Sequence, residues 1–287
     1  MNICIIGLGL IGGSFSLGLR SKDPSIRVIG VDVNESNAKR AVELGLADEI
    51  MNFEEGVKQA DLTIIATPVN AMVSQLIKAL DVIQEGAVVM DLGSTKEQLC
   101  VAVKNHPHRK QYVAAHPIAG TENSGPEAAF ADLMKNKIMI LCEKEQSDPL
   151  ALQLAVNVCQ MLEMRISYMD AAAHDKHIAY VSHLSHISSF ALGSTVLDKE
   201  KDETRIFDLA GSGFSSTVRL AKSSANMWAP IFTQNKLNVL EALDAYINKL
   251  QYFREVIHQE DEAKSKELMN KTNEIRRVLM GIEKNGA

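Results

Sequence analysis

Asn2-Ile3-Cys4-Ile5-Ile6-Gly7-Leu8-Gly9-Leu10-Ile11-Gly12-Gly13 opens the chain, and Val28-Ile29-Gly30-Val31-Asp32 follows after an amphipathic stretch from Ser14 to Arg20. In order, this reads as a strand, a glycine turn, a helix, a second strand and an acid. Gly7 permits the tight turn, Gly9 lets a pyrophosphate approach the backbone, and Gly12 lets the helix pack close against the strand. The helix N-terminus then offers free N–H groups to phosphates. Asp32 stands twenty residues beyond Gly12, where a carboxylate accepts hydrogen bonds from a ribose 2′-hydroxyl and repels a 2′-phosphate. A bare GxGxxG is a weak signal, but strand, helix and acid all frame this one, and the stretch reads as a dinucleotide site. Gly7, Gly9, Leu10, Ile11, Gly12 and Asp32 are the residues expected to hold the cofactor. Asp32 favours NAD over NADP, with Arg40 the nearby cation that works against that preference.

At 287 residues the chain has room for about two domains. Its hydrophobic share of 46% is enough for real cores. A net charge of −6, with no basic cluster interleaved with aromatics, argues against a nucleic-acid partner. Cys4, Cys100, Cys142 and Cys159 form no close pair and read as free thiols in a reducing compartment. The first strand lies at the N-terminus, so no cleaved signal peptide is expected. No uninterrupted apolar run approaches the ~20 residues of a membrane span. A cytoplasmic location is expected.

From Asn2 to about Tyr168 short apolar runs alternate with helical patterns. The expected strands are Asn2–Ile6, Arg27–Val31, Leu62–Ala66, Ala87–Asp91, Tyr112–Ala115, Lys137–Leu141 and Arg165–Tyr168, with helices such as Ser36–Leu44, Ala71–Ile83 and Pro149–Leu162 between them. This rhythm predicts a doubly wound, mostly parallel sheet over residues 1–168. In such sheets ligands sit beyond the carboxyl ends of the strands. Four ends carry polar residues and should open toward one crevice: the Gly7–Gly13 turn, Ala66-Thr67-Pro68, Asp91-Leu92-Gly93-Ser94-Thr95-Lys96 and Ala115-His116-Pro117. Thr67 and Pro68 are added to the cofactor set on that ground. Residues 169–287 read as an all-helical second domain, with helices expected over Ala171–Leu197, Ser215–Ala225, Ala229–Ile257 and Glu260–Ile282.

Several residues could carry chemistry. On a straight helix turning ~100° per residue, Asp175, Ser182 and His186 share one face of an otherwise apolar stretch, which favours a site over a solvated stripe. His174, His177, His183 and His186 invite a metal, but no HExxH or paired Cys/His framework accompanies them, and no metal is expected. His174 and His177 read as ordinary polar residues near the domain junction. His116, fixed by Pro117, suits a base or hydrogen-bond acceptor beside a cofactor; as a satisfied junction histidine it would be inert. Ser94 suits a substrate hydroxyl, or else the N-cap of the next helix with Glu97 completing a capping box. Arg219, after a glycine turn, suits a carboxylate clamp or a surface salt bridge. Trp228 reads as a packing anchor.

Together, the glycine turn, Asp91–Lys96, His116-Pro117-Ile118-Ala119-Gly120-Thr121-Glu122, Ser182-His183-Leu184-Ser185-His186 and Gly211-Ser212-Gly213-Phe214 leading to Arg219 resemble the prephenate dehydrogenase family. The resemblance spans roughly residues 1–255 and implies a Rossmann domain followed by a helical dimerisation domain, hence a homodimer. It implies NAD-linked oxidative decarboxylation of prephenate to 4-hydroxyphenylpyruvate in tyrosine biosynthesis. By the same resemblance, His116 accepts the hydrogen bond from the ring hydroxyl and Ser94 supports that hydroxyl and orients His116. His186 and Ser182 line the substrate pocket, Arg219 clamps a carboxylate, and Thr121 and Glu122 stand near the pocket mouth. The chain departs from many members at Ser215-Ser216-Thr217, where an acidic residue is usual before the arginine. Neither a fused chorismate mutase nor a strand-rich regulatory domain is expected.

Three rival readings are kept. One is arogenate dehydrogenase, with the same machinery. Another is a β-hydroxyacid dehydrogenase, for which Lys176 is a poor candidate base. The third is a non-catalytic dinucleotide-sensing protein, in which His116, Ser94 and Arg219 would not converge.

Overall fold

A computed structural model describes residues 1–203 and 205–284. Residues 204 and 285–287 of the expected helical domain lie outside the described residues. Eight strands form one sheet: β1 (Asn2–Ile6), β2 (Arg27–Val31), β3 (Glu49–Ile50), β4 (Leu62–Ile65), β5 (Val88–Asp91), β6 (Tyr112–Ile118), β7 (Ile138–Cys142) and β8 (Arg165–Met169). Their order is β3-β2-β1-β4-β5-β6-β7-β8. Every pairing is parallel except β6 with β7. The helices of this half are α1 (Leu10–Lys22), α2 (Glu35–Glu43), α3 (Phe53–Gln59), α4 (Val69–Val82), α5 (Glu97–Ala102) and α6 (Pro149–Met161).

The strands read as continuous apolar runs because helices cover both faces of the sheet. Side chains alternate across a strand, and β1 shows the result. Ile3 and Ile5 join Phe15, Leu19 and Val158 in a core on one face, while Cys4 and Ile6 join Leu76 and Leu80 in a core on the other. Each such fully buried side chain contributes about 1.5–3 kcal/mol. All four cysteines are free and buried, and burial pushes the Cys4, Cys100 and Cys159 thiols up to about 12, which leaves them unreactive.

Two strand differences follow from partners that local pattern does not reveal. β3 is two residues long and exists because Ile29 and Gly30 of β2 pair with it. β6 runs three residues beyond the expected Ala115, since antiparallel β7 supplies partners for His116, Pro117 and Ile118. Pro117 is tolerated because β5 stops opposite Ala114, so no ladder bond is lost on that side.

The second half is helical: α7 (Ala171–Ile178), α8 (Leu184–Glu200), α9 (Ser212–Val218), α10 (Ala225–Gln234), α11 (Lys236–His258), α12 (Glu262–Thr272) and α13 (Arg276–Lys284). The helix expected over Ala171–Leu197 is interrupted by a π-helical turn at Ala179–His183. That expected over Ala229–Ile257 is two helices meeting at Asn235, whose amide donates to Asp175 O at 2.7 Å. The one expected over Ser215–Ala225 starts and ends earlier and passes into a 3-10 turn, Arg219–Lys222. Along α11 only Val239, Ala242 and Val256 are buried, while Leu237, Leu240, Ile247, Leu250 and Ile257 are exposed. Among the described residues no helix is long and apolar enough to cross a membrane.

Candidate active site

β1, β4, β5 and β6 are parallel neighbours, so their four polar carboxyl ends lie side by side on one edge of the sheet. At the first, Gly7 adopts φ +95°, and a Cβ there would lie 2.8 Å from Ala66 O. A Cβ on Gly12 would lie 2.1 Å from Gly7 O, the mark of a helix packed hard against its strand. Around Gly9, by contrast, the space is open. Helix α1 begins at Leu10 with no side chain capping its first N–H groups. Asp32 is held ready by two backbone donors, Leu8 N at 3.0 Å and Asn34 N at 2.9 Å. Arg40 is engaged by Glu43 at 3.0 Å and Glu127 at 3.1 Å. The open glycine face, the uncapped helix and the anchored acid together fit a dinucleotide with a free 2′-hydroxyl. Thr67 bonds Gln75, and Pro68 occupies the N-cap of α4.

At the third strand end Asp91 and Lys96 form an ion pair with both side chains 0% exposed. Asp91 also accepts from Tyr112 Oη at 2.7 Å, Gly93 N at 2.9 Å and Ala115 N at 3.2 Å. Lys96 Nζ donates to Ala115 O at 2.8 Å. These two side chains thus grip both backbone groups of the residue preceding His116, on the side where the β5 ladder has ended.

His116 is buried, and its Nδ1 lies 2.8 Å from His174 Nε2. His174 Nδ1 in turn lies 2.7 Å from Asp175 Oδ1. His116 Nε2 makes no hydrogen bond within the described residues. Burial holds the imidazole well below its usual 6.5, and His174, Lys96 and His183 push the same way. A neutral imidazole with one free nitrogen is equipped to accept a proton.

His174 is therefore no ordinary junction residue. Asp175 also departs from expectation: the π turn adds about one residue to its turn and breaks the straight-helix face. The Asp175 carboxylate accepts from Lys96 N at 2.8 Å and Glu97 N at 3.0 Å, capping α5 from the other half of the chain. The Ser94–Glu97 capping box is absent; Lys96 takes the N-cap position with no side-chain bond from its own segment. Ser94 is half-buried in the turn between Asp91 and Lys96.

His186 donates Nδ1–H to Ser182 O at 3.0 Å and stacks on Trp228, ring centroids 3.5 Å apart. Burial lowers its affinity for protons, and the Arg219 charge adds to the effect. Trp228 is a packing anchor, 6% exposed in the core beside α4, and it also shelves His186. Arg219 Nη1 lies 3.4 Å from Glu122 Oε2, so the guanidinium stands over the loop that leaves β6. Its segment is gripped on both sides by buried Ser189, whose hydroxyl donates to Thr217 O at 3.0 Å and accepts from Ala221 N at 3.1 Å. Thr121 is half-buried beside Glu122, and its hydroxyl accepts from Asn123 N at 3.1 Å. His177 is on the surface.

The residues that sequence reasoning missed are His174, Lys96, Tyr112 and Ser189. The only signal for His174 was its place beside Asp175 on an apolar helix.

The chain matches the family model described as "Prephenate dehydrogenase, nucleotide-binding domain" over residues 15–168 and that described as "Prephenate dehydrogenase, dimerization domain" over 170–271. It is 33% identical to a Bacillus subtilis prephenate dehydrogenase over 90% of this chain and 71% of the relative. It is 30% identical to a Zymomonas mobilis cyclohexadienyl dehydrogenase over 91% of this chain and 89% of that one. The crystal structure of a prephenate dehydrogenase from A. aeolicus, in complex with hydroxyphenyl propionate and NAD+, superposes with a TM-score of 0.87. It has 33% identity and covers 98% of each chain.

Proposed function

The chain belongs to the prephenate dehydrogenase family, and from that premise we propose that it oxidatively decarboxylates prephenate to 4-hydroxyphenylpyruvate with NAD, using His116 as the base. The carrying observation is a buried imidazole at the end of β6 whose Nδ1 is engaged by His174 and whose Nε2 makes no hydrogen bond within the described residues. Residues 1–168 would hold the cofactor and 169–287 the substrate and a second copy of the chain, through the exposed apolar side chains of α11. Such an enzyme would work in the cytoplasm, with no nucleic-acid partner.

His116 accepts the ring hydroxyl proton as hydride departs from the carbon bearing that hydroxyl. A dinucleotide held by the Gly7–Gly12 turn and Asp32 would supply the hydride acceptor. The ring carboxylate then leaves as CO2, its bonding pair passing through the ring to the new carbonyl oxygen, which regains a proton as the phenol, and aromatisation drives the step. Ser94, in the turn before α5, supports the hydroxyl, while His186 and Ser182 form the pocket wall. Gripping the departing carboxylate would stabilise the ground state more than the transition state, so Arg219 holds the pyruvyl carboxylate instead, with Thr121 and Glu122 at the mouth.

The test is absorbance of the reduced cofactor in turnover with prephenate and NAD, with arogenate and NADP run in parallel. His116→Asn should lower kcat by roughly 10²–10⁴, the usual worth of a positioned base, with little change in KM. A near-normal kcat would remove His116 from the chemistry, and turnover of arogenate alone would reassign the substrate.

A further inference from the structure

We propose that His174 and Asp175 are positioning residues that set the tautomer of His116 through two hydrogen bonds in series. The proposal rests on His116 being the base, and concerns how its free nitrogen comes to carry a lone pair.

Asp175 receives backbone N–H groups on both oxygens, Lys96 N on Oδ1 and Glu97 N on Oδ2. It is therefore an acceptor, and the proton in its 2.7 Å contact with His174 belongs to Nδ1 of that ring. A neutral His174 protonated at Nδ1 has a lone pair on Nε2. That lone pair faces His116 Nδ1 at 2.8 Å, so His116 Nδ1 must supply the proton of the second bond. Its Nε2 is then left bare toward the substrate. In the other tautomer, His116 would present Nε2–H to a substrate hydroxyl and could not take its proton.

Burial makes this setting strict. His174 is 1% exposed and Asp175 3%, so water does not compete for either bond, and an unmatched donor or acceptor there costs its full desolvation. Asp175 is itself fixed by capping α5, the helix whose Lys96 grips the residue before His116. One carboxylate thus sets both the position of the Lys96 segment and the protonation pattern of two imidazoles.

The experiment measures tautomers directly, by ¹⁵N NMR of ring nitrogens in histidine-labelled protein, alongside kcat and KM. Wild type should show both His174 and His116 as Nδ1–H. His174→Phe removes the acceptor, so His116 should turn to Nε2–H. Its kcat should fall about 10³-fold or more, on the scale of a wrongly set tautomer in a serine protease. KM should change little, because the ring still meets the hydroxyl, now as a donor. His174→Gln retains an oxygen that can accept from His116 Nδ1–H and should recover much of the rate. Wild-type His116 found as Nε2–H overturns the proposal, as does a His174→Phe variant that keeps the wild-type tautomer. A flipped tautomer with kcat within tenfold of wild type sinks His116 as the base while leaving the tautomer relay standing. If His174→Phe does not fold, the wild-type and His174→Gln spectra still decide.

Discussion

Lys96→Met is the substitution whose cost the structure defines best. Methionine fills nearly the same volume, so packing is conserved and the change is electrostatic. It strips Asp91 of its counter-ion where both side chains are 0% exposed, and it leaves Ala115 O without the 2.8 Å donor it now has. Breaking a buried pair by removing one partner costs about 3–5 kcal/mol. Three other donors remain on Asp91, from Tyr112, Gly93 and Ala115, which places the expected loss near the lower end, about 3 kcal/mol. At ~2–4 °C per kcal/mol for a domain of this size, the melting midpoint should drop by roughly 6–12 °C. The assay is thermal and urea unfolding followed by circular dichroism, with kcat measured on the same preparations. Asp91→Asn combined with Lys96→Met removes both charges, and the double variant should be more stable than the sum of the single losses by at least ~1 kcal/mol. A Lys96→Met protein within ~1 kcal/mol of wild type would refute the reasoning, as would strict additivity. Activity should fall as well, since Lys96 holds the backbone next to His116.

Arg219→Ala should raise KM for prephenate about 10–100-fold, the worth of a charge-assisted hydrogen bond; an equal penalty on an analogue lacking the side-chain carboxylate would show that the arginine grips something else. Stability should fall as pH drops below neutrality. Burial lowers His183 from 6.5 to about 4 and holds His116 well below 6.5, so between those limits the unfolded chain binds protons that the folded one refuses. For His183 the loss is at most about 3 kcal/mol, complete by pH ~4 and absent above ~6.5. Urea midpoints at pH 7.5 and 5 should show it, with a shallower slope for His183→Asn; a midpoint that holds steady across that range would be inconsistent with buried neutral imidazoles.

The geometry of the glycine turn and its acid was legible because it is local. Gly7, Gly9, Gly12 and Asp32 act through backbone geometry that neighbours in sequence impose, and the parallel sheet places the four polar strand ends together by rule. His174 was not legible, because its meaning depends on a contact with His116, 58 residues away. Asp175 was singled out on an assumed straight helix; that helix carries a π turn at Ala179–His183, and the carboxylate caps α5. The Ser94–Glu97 motif failed for a related reason: the α5 cap comes from a helix that no local pattern ties to it. β3 was too short to leave a periodic signal, and the break at Asn235 depends on an amide reaching Asp175 O.

The cap that α7 places on α5 bears on how such a protein can be taken apart. A chimaera joined at residue 168 would pair this sheet with a foreign His174 and Asp175 equivalent, and the donor's helix would then dictate which nitrogen of His116 is bare. A junction placed after His183 would carry the imidazole pair across intact. The contacts that tie His116 to His174 and Asp175 therefore reach one helix past residue 168, into the helical half of the chain.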